Sequence, residues 1–338
     1  MPYITSNHDG ARLFYRDYVP ASSPAAFAPQ SPPDPDDRKK PVLVLTSAWP
    51  FSSKMWDHVL VPLVETYRFR CIAPDRRGYG KSEWSGPDTS KAERIDYDTF
   101  ASDLVQILDT ALGVSSSSSG SPGFIGVGSS LGCGELLMAL SASTEARNSC
   151  KGLIFVATSL PIPLRTAEKP NGPPREFWDN ILSSLRRDKL GWLRTGLPFI
   201  FGPDKLSDTE MKRYEHMAEE SDPIAIERTV QAFLERDLSD LMKSLHDPEK
   251  PLSILILQGD KDSVNPIDEG PELVRRCLPD TEIVVYKDGY HGERDPKLGQ
   301  SGPKLLTQMR TQVSCKPTER GASKISSDSA KVAPVDAL

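Results

Sequence analysis

Several features that mark other classes of protein are missing from this 338-residue chain. Basic residues form no block, and 41 Lys and Arg against 47 Asp and Glu give a net charge of −6, which argues against a nucleic-acid partner. No apolar run reaches the roughly 18 residues of a membrane span. The first residues also lack the basic and then apolar segments of a secretory signal. We therefore expect a cytoplasmic protein without a membrane span.

Cysteine is scarce and shows no pairing pattern. The chain has five cysteines, an odd number, and no C-x-x-C motif. Reduced thiols of the cytosol fit this pattern better than a disulfide framework or a zinc site. The cysteines are Cys71, Cys133, Cys150, Cys277 and Cys315.

Two segments contain too few apolar residues to join a core. Residues 20–40 consist mainly of Pro, Ala, Ser and Asp, which predicts a disordered surface insertion. Residues 316–338 are mostly Ser, Lys, Asp and Ala, which predicts a disordered tail. The five serines from Ser115 to Ser119 predict a loop.

The rest of the chain alternates apolar runs with helical patterns. The first twenty residues predict a hairpin about Asp9-Gly10, and the 3.6-residue periodicity from Tyr97 to Leu112 predicts a helix that Gly113 ends. Strands separated by helices predict an α/β fold, with a mostly parallel central sheet and helices on both faces. The runs that predict core strands are 41–46, 69–73, 124–127, 152–157, 252–257 and 281–286.

Residues 161–247 interrupt this alternation. They are richer in Trp, Arg and Pro and contain no strand-like run of comparable strength, which predicts a helical insertion over one end of the sheet. The expected organisation is therefore the first half of the core at 1–160, the helical insertion at 161–247 and the rest of the core at 248–315. The tail at 316–338 follows.

The most informative motif is Gly128-Ser129-Ser130-Leu131-Gly132, a G-x-S-x-G. A predicted strand precedes it and a predicted helix follows at once, which is the context that a nucleophilic serine on a tight turn requires. The flanking glycines leave room for that turn, and the Leu131 N–H at the helix start would point at a developing oxyanion. The motif predicts Ser130 as nucleophile and Leu131 as oxyanion donor. The alternative is a Gly-rich turn without chemistry.

A serine nucleophile needs an imidazole to accept its proton and a carboxylate to orient the imidazole. In this type of sheet both should follow the serine in the chain, each just after a strand. Of the five histidines, only His291 lies beyond an aspartate that follows a strand. Asp260 and Asp262 both fit the carboxylate role; we favour Asp262 and expect Asp260 to shape the loop. Asp288, before Gly289, is interpreted as a turn residue.

Five blocks of the sequence together resemble a known family. They are Thr46-Ser47-Ala48-Trp49-Pro50 with Trp56-Asp57, Asp75-Arg76-Arg77-Gly78-Tyr79-Gly80-Lys81-Ser82, the G-x-S-x-G motif with Cys133-Gly134-Glu135, Gly259-Asp260-Lys261-Asp262-Ser263-Val264-Asn265-Pro266, and Gly289-Tyr290-His291-Gly292. In order and spacing, from about residue 40 to 300, the chain resembles the α/β-hydrolase superfamily. Within it, the resemblance is to bacterial non-haem haloperoxidases (perhydrolases), aryl esterases and related carboxylesterases.

The resemblance implies a Ser–Asp–His triad that works without a metal or organic cofactor, and it assigns the acid to Asp262. It also implies a second oxyanion donor, the backbone N–H of Trp49. Before that residue the family has His-Gly, whereas this chain has Ser47-Ala48. Epoxide hydrolases and haloalkane dehalogenases attack with an aspartate, so Ser130 at the nucleophile position argues against both activities.

The insertion at 161–247 would then be a lid over an apolar pocket, and the expected partner is a small-molecule substrate. The candidate substrate-binding residues are Trp49, Phe51, Trp178 and Tyr290, with Phe177, Trp192, Phe199 and Phe233 as further pocket candidates. The alternative for each is packing of the lid against the sheet.

The predicted function is hydrolysis of a carboxylic ester, or a related acyl bond, of a small apolar metabolite through an acyl-enzyme. One alternative uses the same triad for carbon–carbon bond hydrolysis, perhydrolysis or acyl transfer. Another is a non-catalytic binding protein on the same fold. The sequence does not indicate an oligomeric state.

Overall fold

The computed structural model describes residues 2–21, 40–115, 122–203 and 205–292. The predicted insertion at 20–40 lies outside these residues except for its ends. The predicted tail at 316–338, the end of the predicted core at 293–315 and most of the serine run also lie outside them.

An eight-stranded sheet forms the centre of the described structure. The first two strands form the predicted antiparallel hairpin, and the second pairs antiparallel with the fourth. The other strand pairs are parallel, which confirms the predicted mostly parallel sheet. The strands are β1 (Tyr3–Thr5), β2 (Arg12–Tyr18), β3 (Val42–Thr46), β4 (Cys71–Pro74), β5 (Phe124–Ser129), β6 (Cys150–Val156), β7 (Ile254–Gly259) and β8 (Glu282–Tyr286). Their spatial order is β1-β2-β4-β3-β5-β6-β7-β8.

The central strands are covered on both faces, which explains why their sequences are continuous apolar runs without alternation. Every residue of β3, β4, β5 and β7 is buried. A strand buried on both faces has no side that favours polar residues, so the two-residue period disappears.

Helices cover both faces of the sheet, as the sequence predicted. The helices are α1 (Asp57–Val61), α2 (Tyr97–Leu112), α3 (Gly132–Ala142), α4 (Thr144–Ser149), α5 (Arg175–Arg187), α6 (Lys189–Phe201), α7 (Asp208–Glu219), α8 (Pro223–Leu234), α9 (Ser239–Leu245) and α10 (Pro271–Cys277). One apolar cluster joins the sheet to α2, α3, α9 and α10, and a second joins the opposite face to α1 and the π-helical turn Pro62–Thr66.

Local contacts and backbone conformation set both ends of helix α2. It begins after Asp96, whose carboxylate accepts from the Thr99 N–H at 2.9 Å in a capping box. It ends at Gly113, which takes the left-handed conformation with φ of 63°.

At 16 residues, α2 is still too short to cross a membrane, and none of the helices in the described ranges is long and apolar enough to do so.

Between β6 and β7 the chain leaves the sheet for five helices, α5 to α9. They occupy the segment in which the sequence predicts a helical insertion. Buried residues of α5, α6, α7 and α8 pack against Trp49 and Phe51, which follow β3. The insertion therefore lies over the carboxyl end of the central strands, where β3 and β5 finish.

Candidate active site

Ser130 sits on the sharp turn between β5 and α3. Its φ is 51°, a left-handed conformation that non-glycine residues rarely adopt, and its N–H donates to the Val156 carbonyl at 2.9 Å. The glycines on either side are required by crowding. A Cβ on Gly128 would lie 2.8 Å from the Cys133 backbone, and one on Gly132 would lie 2.8 Å from the Thr46 carbonyl oxygen. The G-x-S-x-G pattern thus lets the helix start directly against the end of β3.

The loops that follow β7 and β8 pack against each other. A Cβ on Gly259 would come within 2.2 Å of the Gly289 carbonyl oxygen, so only glycine permits this approach. The Lys261 N–H donates to the same Gly289 oxygen at 2.7 Å. The contact brings Asp262 and His291, which are 29 residues apart, into one site.

Ser130, His291 and Asp262 form a continuous hydrogen-bonded chain. The His291 Nδ1 lies 2.8 Å from Asp262 Oδ2, and its Nε2 lies 3.1 Å from Ser130 Oγ. An ionised carboxylate can only accept, so the ring proton belongs on Nδ1. Nε2 is then left as the acceptor for the serine hydroxyl proton, which is the arrangement a general base requires.

The structure distinguishes the two aspartates that the residues alone left open. Asp262 is buried, and its carboxylate accepts four hydrogen bonds. Two come from the Val264 and Asn265 N–H groups at 2.9 and 2.8 Å, and the other two come from Gln258 Nε2 at 2.6 Å and from His291. Asp260, by contrast, is exposed on the loop. Asp262 alone of the two lies in the hydrogen-bonded chain.

The segment after β3 supplies one wall of the site. The Ala48 N–H donates to Met55 Sδ at 3.1 Å. Trp49, the next residue, borders the same cavity as Leu131 and Ser130. The Trp49 indole N–H donates to the Ile226 carbonyl at 2.9 Å, which fixes this segment to α8.

A cavity of about 200 Å³ opens beside the serine hydroxyl. Aromatic and aliphatic side chains dominate its walls, and no Asp, Glu, Lys or Arg lines it within the described residues. The indole N–H groups of Trp49 and Trp178 already donate hydrogen bonds to the carbonyls of Ile226 and Pro163, each at 2.9 Å. The cavity is therefore suited to an uncharged, largely apolar group.

All four candidate substrate-binding residues, Trp49, Phe51, Trp178 and Tyr290, line this cavity. Phe177 and Trp192 also line it, but two other candidates do not. Phe199 lies on the outer face of α6 and is 55% exposed. Phe233 is buried in the core, with its ring against those of Tyr97 and Phe100. The cavity walls also include residues that the sequence did not indicate, among them Met55, His58, Ile181, Phe201 and Tyr214.

Cys133, three residues after Ser130, is buried beside the turn. Its Sγ lies 3.3 Å from the Gly128 carbonyl oxygen, and burial raises the pKa of the thiol to about 12. Because the thiolate is the reactive form, this side chain acts as a small apolar group. Cys71, Cys150 and Cys277 are likewise free thiols in the described part of the chain, and Cys315 lies outside it.

Behind Asp262 lies a buried cation, Lys169. Its Nζ donates to Asn265 Oδ1 at 3.1 Å, and the Asn265 N–H in turn donates to Asp262. Burial lowers the pKa of Lys169 to about 8, although the nearby carboxylates of Glu269 and Asp262 oppose this effect. No cluster of three or more His, Cys, Asp or Glu suited to a metal ion occurs among the residues described.

Known proteins are similar to this chain in sequence and in fold. The profile of the family described as alpha/beta hydrolase fold matches residues 41–292. The chain is 24% identical over 325 residues to a bifunctional esterase/perhydrolase of Acinetobacter calcoaceticus, covering 92% of this chain and 100% of that protein. It is 25% identical over 304 residues to a non-heme chloroperoxidase of Kitasatospora aureofaciens, covering 86% and 92%. The crystal structure of a bromoperoxidase from Bacillus anthracis matches with a TM-score of 0.70 and 22% identity, over 91% of this chain and 99% of that one.

Proposed function

The chain belongs to the α/β-hydrolase family of enzymes, and we propose that it is a serine hydrolase that cleaves uncharged carboxylic esters through an acyl-enzyme. The observation that carries this proposal is the hydrogen-bonded chain from Asp262 through His291 to Ser130, at the wall of a cavity that no Asp, Glu, Lys or Arg of the described residues lines. The alpha/beta hydrolase profile and a relative named as an esterase support the same conclusion.

The first half of the reaction acylates the enzyme. Ser130 Oγ attacks the ester carbonyl carbon while its proton passes to His291 Nε2, and Asp262 stabilises the imidazolium that forms. The carbonyl oxygen becomes an oxyanion, for which the backbone N–H groups of Leu131 and Trp49 are the proposed donors. When the tetrahedral intermediate collapses, the leaving alkoxide takes the proton from Nε2 and departs as the alcohol.

The second half returns the enzyme to its starting state. A water molecule attacks the acyl carbon and gives its proton to His291 Nε2. Collapse of this second intermediate breaks the bond to Ser130 Oγ, which recovers the proton, and the carboxylic acid leaves. The sum is ester plus water to acid plus alcohol, with no net change in the enzyme.

The walls of the cavity support an uncharged substrate. A charged acyl or alkyl group would lose its hydration without finding a partner charge, a cost of several kcal/mol. The ring of Trp49 lies 5.8 Å from that of Trp192 and 6.3 Å from that of Trp178, so an apolar group would meet aromatic surface on several sides.

The free thiols of the described residues support a reducing, cytoplasmic location.

The proposal is tested with p-nitrophenyl acetate, butyrate and hemisuccinate. We expect turnover of the acetate and butyrate, and a kcat/KM for the negatively charged hemisuccinate at least about 100-fold lower. Ser130→Ala should abolish turnover while circular dichroism shows an intact fold, and Ser244→Ala, which removes an exposed hydroxyl on α9, should be fully active. An undiminished rate in Ser130→Ala would disprove the assignment.

A second candidate activity, perhydrolysis, is favoured by the relative named as a bifunctional esterase/perhydrolase. Here hydrogen peroxide would replace water in the second half, releasing a peracid and restoring Ser130. The test supplies acetic acid, which would acylate Ser130 with loss of water, together with hydrogen peroxide, and follows bromide oxidation by the peracetic acid released. Activity that disappears in Ser130→Ala would support this candidate, and no activity in the wild-type enzyme would exclude it.

A further inference from the structure

Arg76 is a buried cation that the mechanism above does not use. It follows β4, and its side chain is 3% exposed. Burying a guanidinium is costly unless its N–H groups find acceptors. In Arg76, Nε and Nη2 find acceptors, and Nη1 has none among the described residues.

The Arg76 guanidinium joins the two segments that carry the proposed oxyanion donors. Its Nη2 donates to the Ser47 carbonyl at 2.6 Å, in the segment that leads to Trp49. Its Nε and Nη2 donate to the two carboxylate oxygens of Glu135, the latter at 3.1 Å, on the first turn of α3. Leu131 lies at the start of that same helix.

Arg76 and Glu135 stabilise each other's charge against burial. Burial raises the pKa of the Glu135 carboxyl, and the adjacent guanidinium opposes this rise without cancelling it. Burial alone would lower the pKa of Arg76, but the Glu135 carboxylate more than offsets burial, and the pKa is raised. The rings of Tyr79 and Phe233 flank the guanidinium at 5.2 and 5.7 Å from their centroids. The aromatic rings and the carboxylate, which is bound to two nitrogens, hold the guanidinium in one position. The guanidinium in turn holds the Ser47 carbonyl in place.

We propose that Arg76 is a positioning residue for the oxyanion hole, holding the Ser47 carbonyl so that the Trp49 N–H stays aimed at the oxygen of the substrate carbonyl group that Ser130 attacks. This inference rests on the proposed function. The segment between Ser47 and Trp49 contains no glycine, and its path is fixed by side-chain contacts: Thr46 Oγ1 donates to the Gly132 carbonyl at 2.9 Å, and Arg76 holds the next residue.

The proposal predicts which kinetic constant changes. An oxyanion donor acts on charge that exists in the transition state and is largely absent in the bound ester. Loss of the brace should therefore lower kcat and leave KM nearly unchanged. It should also weaken binding of phenylboronic acid, whose tetrahedral adduct with the serine places an oxygen in the oxyanion hole.

The neighbouring Arg77 offers a matched control. Its side chain is fully buried and paired with Asp9 and Asp103, with Nε 2.8 Å from Asp103 Oδ2. Among the described residues, its hydrogen bonds go to Asp9, Asp103, Ser6 and Trp84 rather than to Ser47. Arg76→Lys and Arg77→Lys each replace a buried, paired guanidinium with an ammonium that cannot serve several acceptors in one plane. Both variants should lower the midpoint of thermal unfolding.

The two variants separate positioning from stability. In Arg76→Lys we expect kcat for p-nitrophenyl acetate to fall about 10- to 100-fold, with KM within about 2-fold and boronic acid affinity reduced in parallel. In Arg77→Lys, kcat and boronic acid affinity should stay within about 2-fold of wild type. Equal kcat losses in the two variants, or no loss in Arg76→Lys, would overturn the proposal.

Two further results keep the test decisive. If Arg76→Lys does not fold, the double variant Arg76→Met with Glu135→Gln removes both charges without leaving one unpaired, and it should show the same loss of kcat. A wild-type enzyme without esterase turnover would contradict the proposed function itself. Wild-type turnover combined with unchanged kcat in the folded variants would contradict only the role of Arg76.

Discussion

Replacing Gly132 with alanine should damage stability and catalysis together. An ideal Cβ at this position lies 2.8 Å from the Thr46 carbonyl oxygen and 2.9 Å from that of Ser47. Both atoms are backbone, so no side chain can turn aside. To restore ordinary contact distances of about 3.4 Å, the end of β3 and the start of α3 must separate by about 0.5 Å.

This separation has a calculable cost. Forcing an extra methyl group into a packed site typically costs about 1–3 kcal/mol of unfolding free energy. The same movement pulls the segment that carries Trp49 away from the turn that carries Ser130. Misplacement of catalytic groups by a fraction of an ångström to one ångström lowers rates about 10- to 100-fold, and we expect a loss of kcat/KM in that range.

Gly196→Ala is the matched control for Gly132→Ala. Gly196 lies within α6, and the nearest atoms to its ideal Cβ belong to the Trp192 ring at 3.6 Å, an ordinary contact. Alanine is favoured over glycine inside a helix by up to about 1 kcal/mol, so this variant should be as stable as wild type or more stable.

The assays are urea unfolding followed by circular dichroism and the kcat/KM for p-nitrophenyl acetate. A Gly132→Ala protein with wild-type stability and activity would refute the close packing of β3 against α3. Wild-type stability with lost activity would instead show that one backbone displacement does not cause both effects.

Three other results are expected from other residues near the active site. Asp262→Asn should lower kcat about 1,000-fold or more because the imidazole loses its orienting acceptor, whereas Asp260→Asn should stay within about 2-fold, a comparison made by steady-state kinetics. Burial lowers the pKa of Lys169 from 10.5 to about 8, so between these pH values the unfolded chain binds more protons and stability should rise with pH. Urea unfolding should show that Lys169→Met loses this rise, worth about 3 kcal/mol, and an identical pH dependence in the variant would contradict the burial of the charge. Iodoacetamide at pH 8 should leave Cys133 unmodified in the folded enzyme and modify it in urea, as peptide mass spectrometry can show; rapid modification of the native protein would contradict the raised pKa.

The core of the fold could be predicted because its signals are local. The apolar run at 41–46 lies within one strand, and its lack of alternation indicates burial on both faces. The helix at 97–112 carries its N-terminal cap, its 3.6-residue apolar period and the terminating Gly113 in one continuous segment. The meeting of Ser130 and His291 was predictable for a different reason. Parallel strands finish at the same edge of a sheet, so residues that follow them come together however far apart they lie in the chain.

The choice between Asp260 and Asp262 could not be made from the residues alone. Both follow β7 within three positions, and the outcome depends on which way a short loop turns. In the structure, the Val264 and Asn265 N–H groups turn toward Asp262 and bind its carboxylate. That preference arises from the loop conformation, which no single residue type in the segment specifies.

The pocket residues of α6 were partly predictable. Leu193, Leu197 and Phe201 recur every four residues and form its buried face, whereas Phe199, two positions before Phe201, points outward. Attention to this spacing would have favoured Phe201 over Phe199. The contact between Arg76 and Glu135 had no such signal, since 59 residues separate the partners and only the packed fold brings them together.

The central claim is that Ser130 is a nucleophile activated by His291, and labelling with a fluorophosphonate tests it most directly. Intact-mass spectrometry should show one phosphonyl adduct, and peptide mapping should locate it on Ser130. The adduct should be absent in Ser130→Ala and should form at least about 100-fold more slowly in His291→Asn, because the serine then lacks its proton acceptor. An unlabelled wild-type protein, or an adduct that persists in Ser130→Ala, would contradict the account.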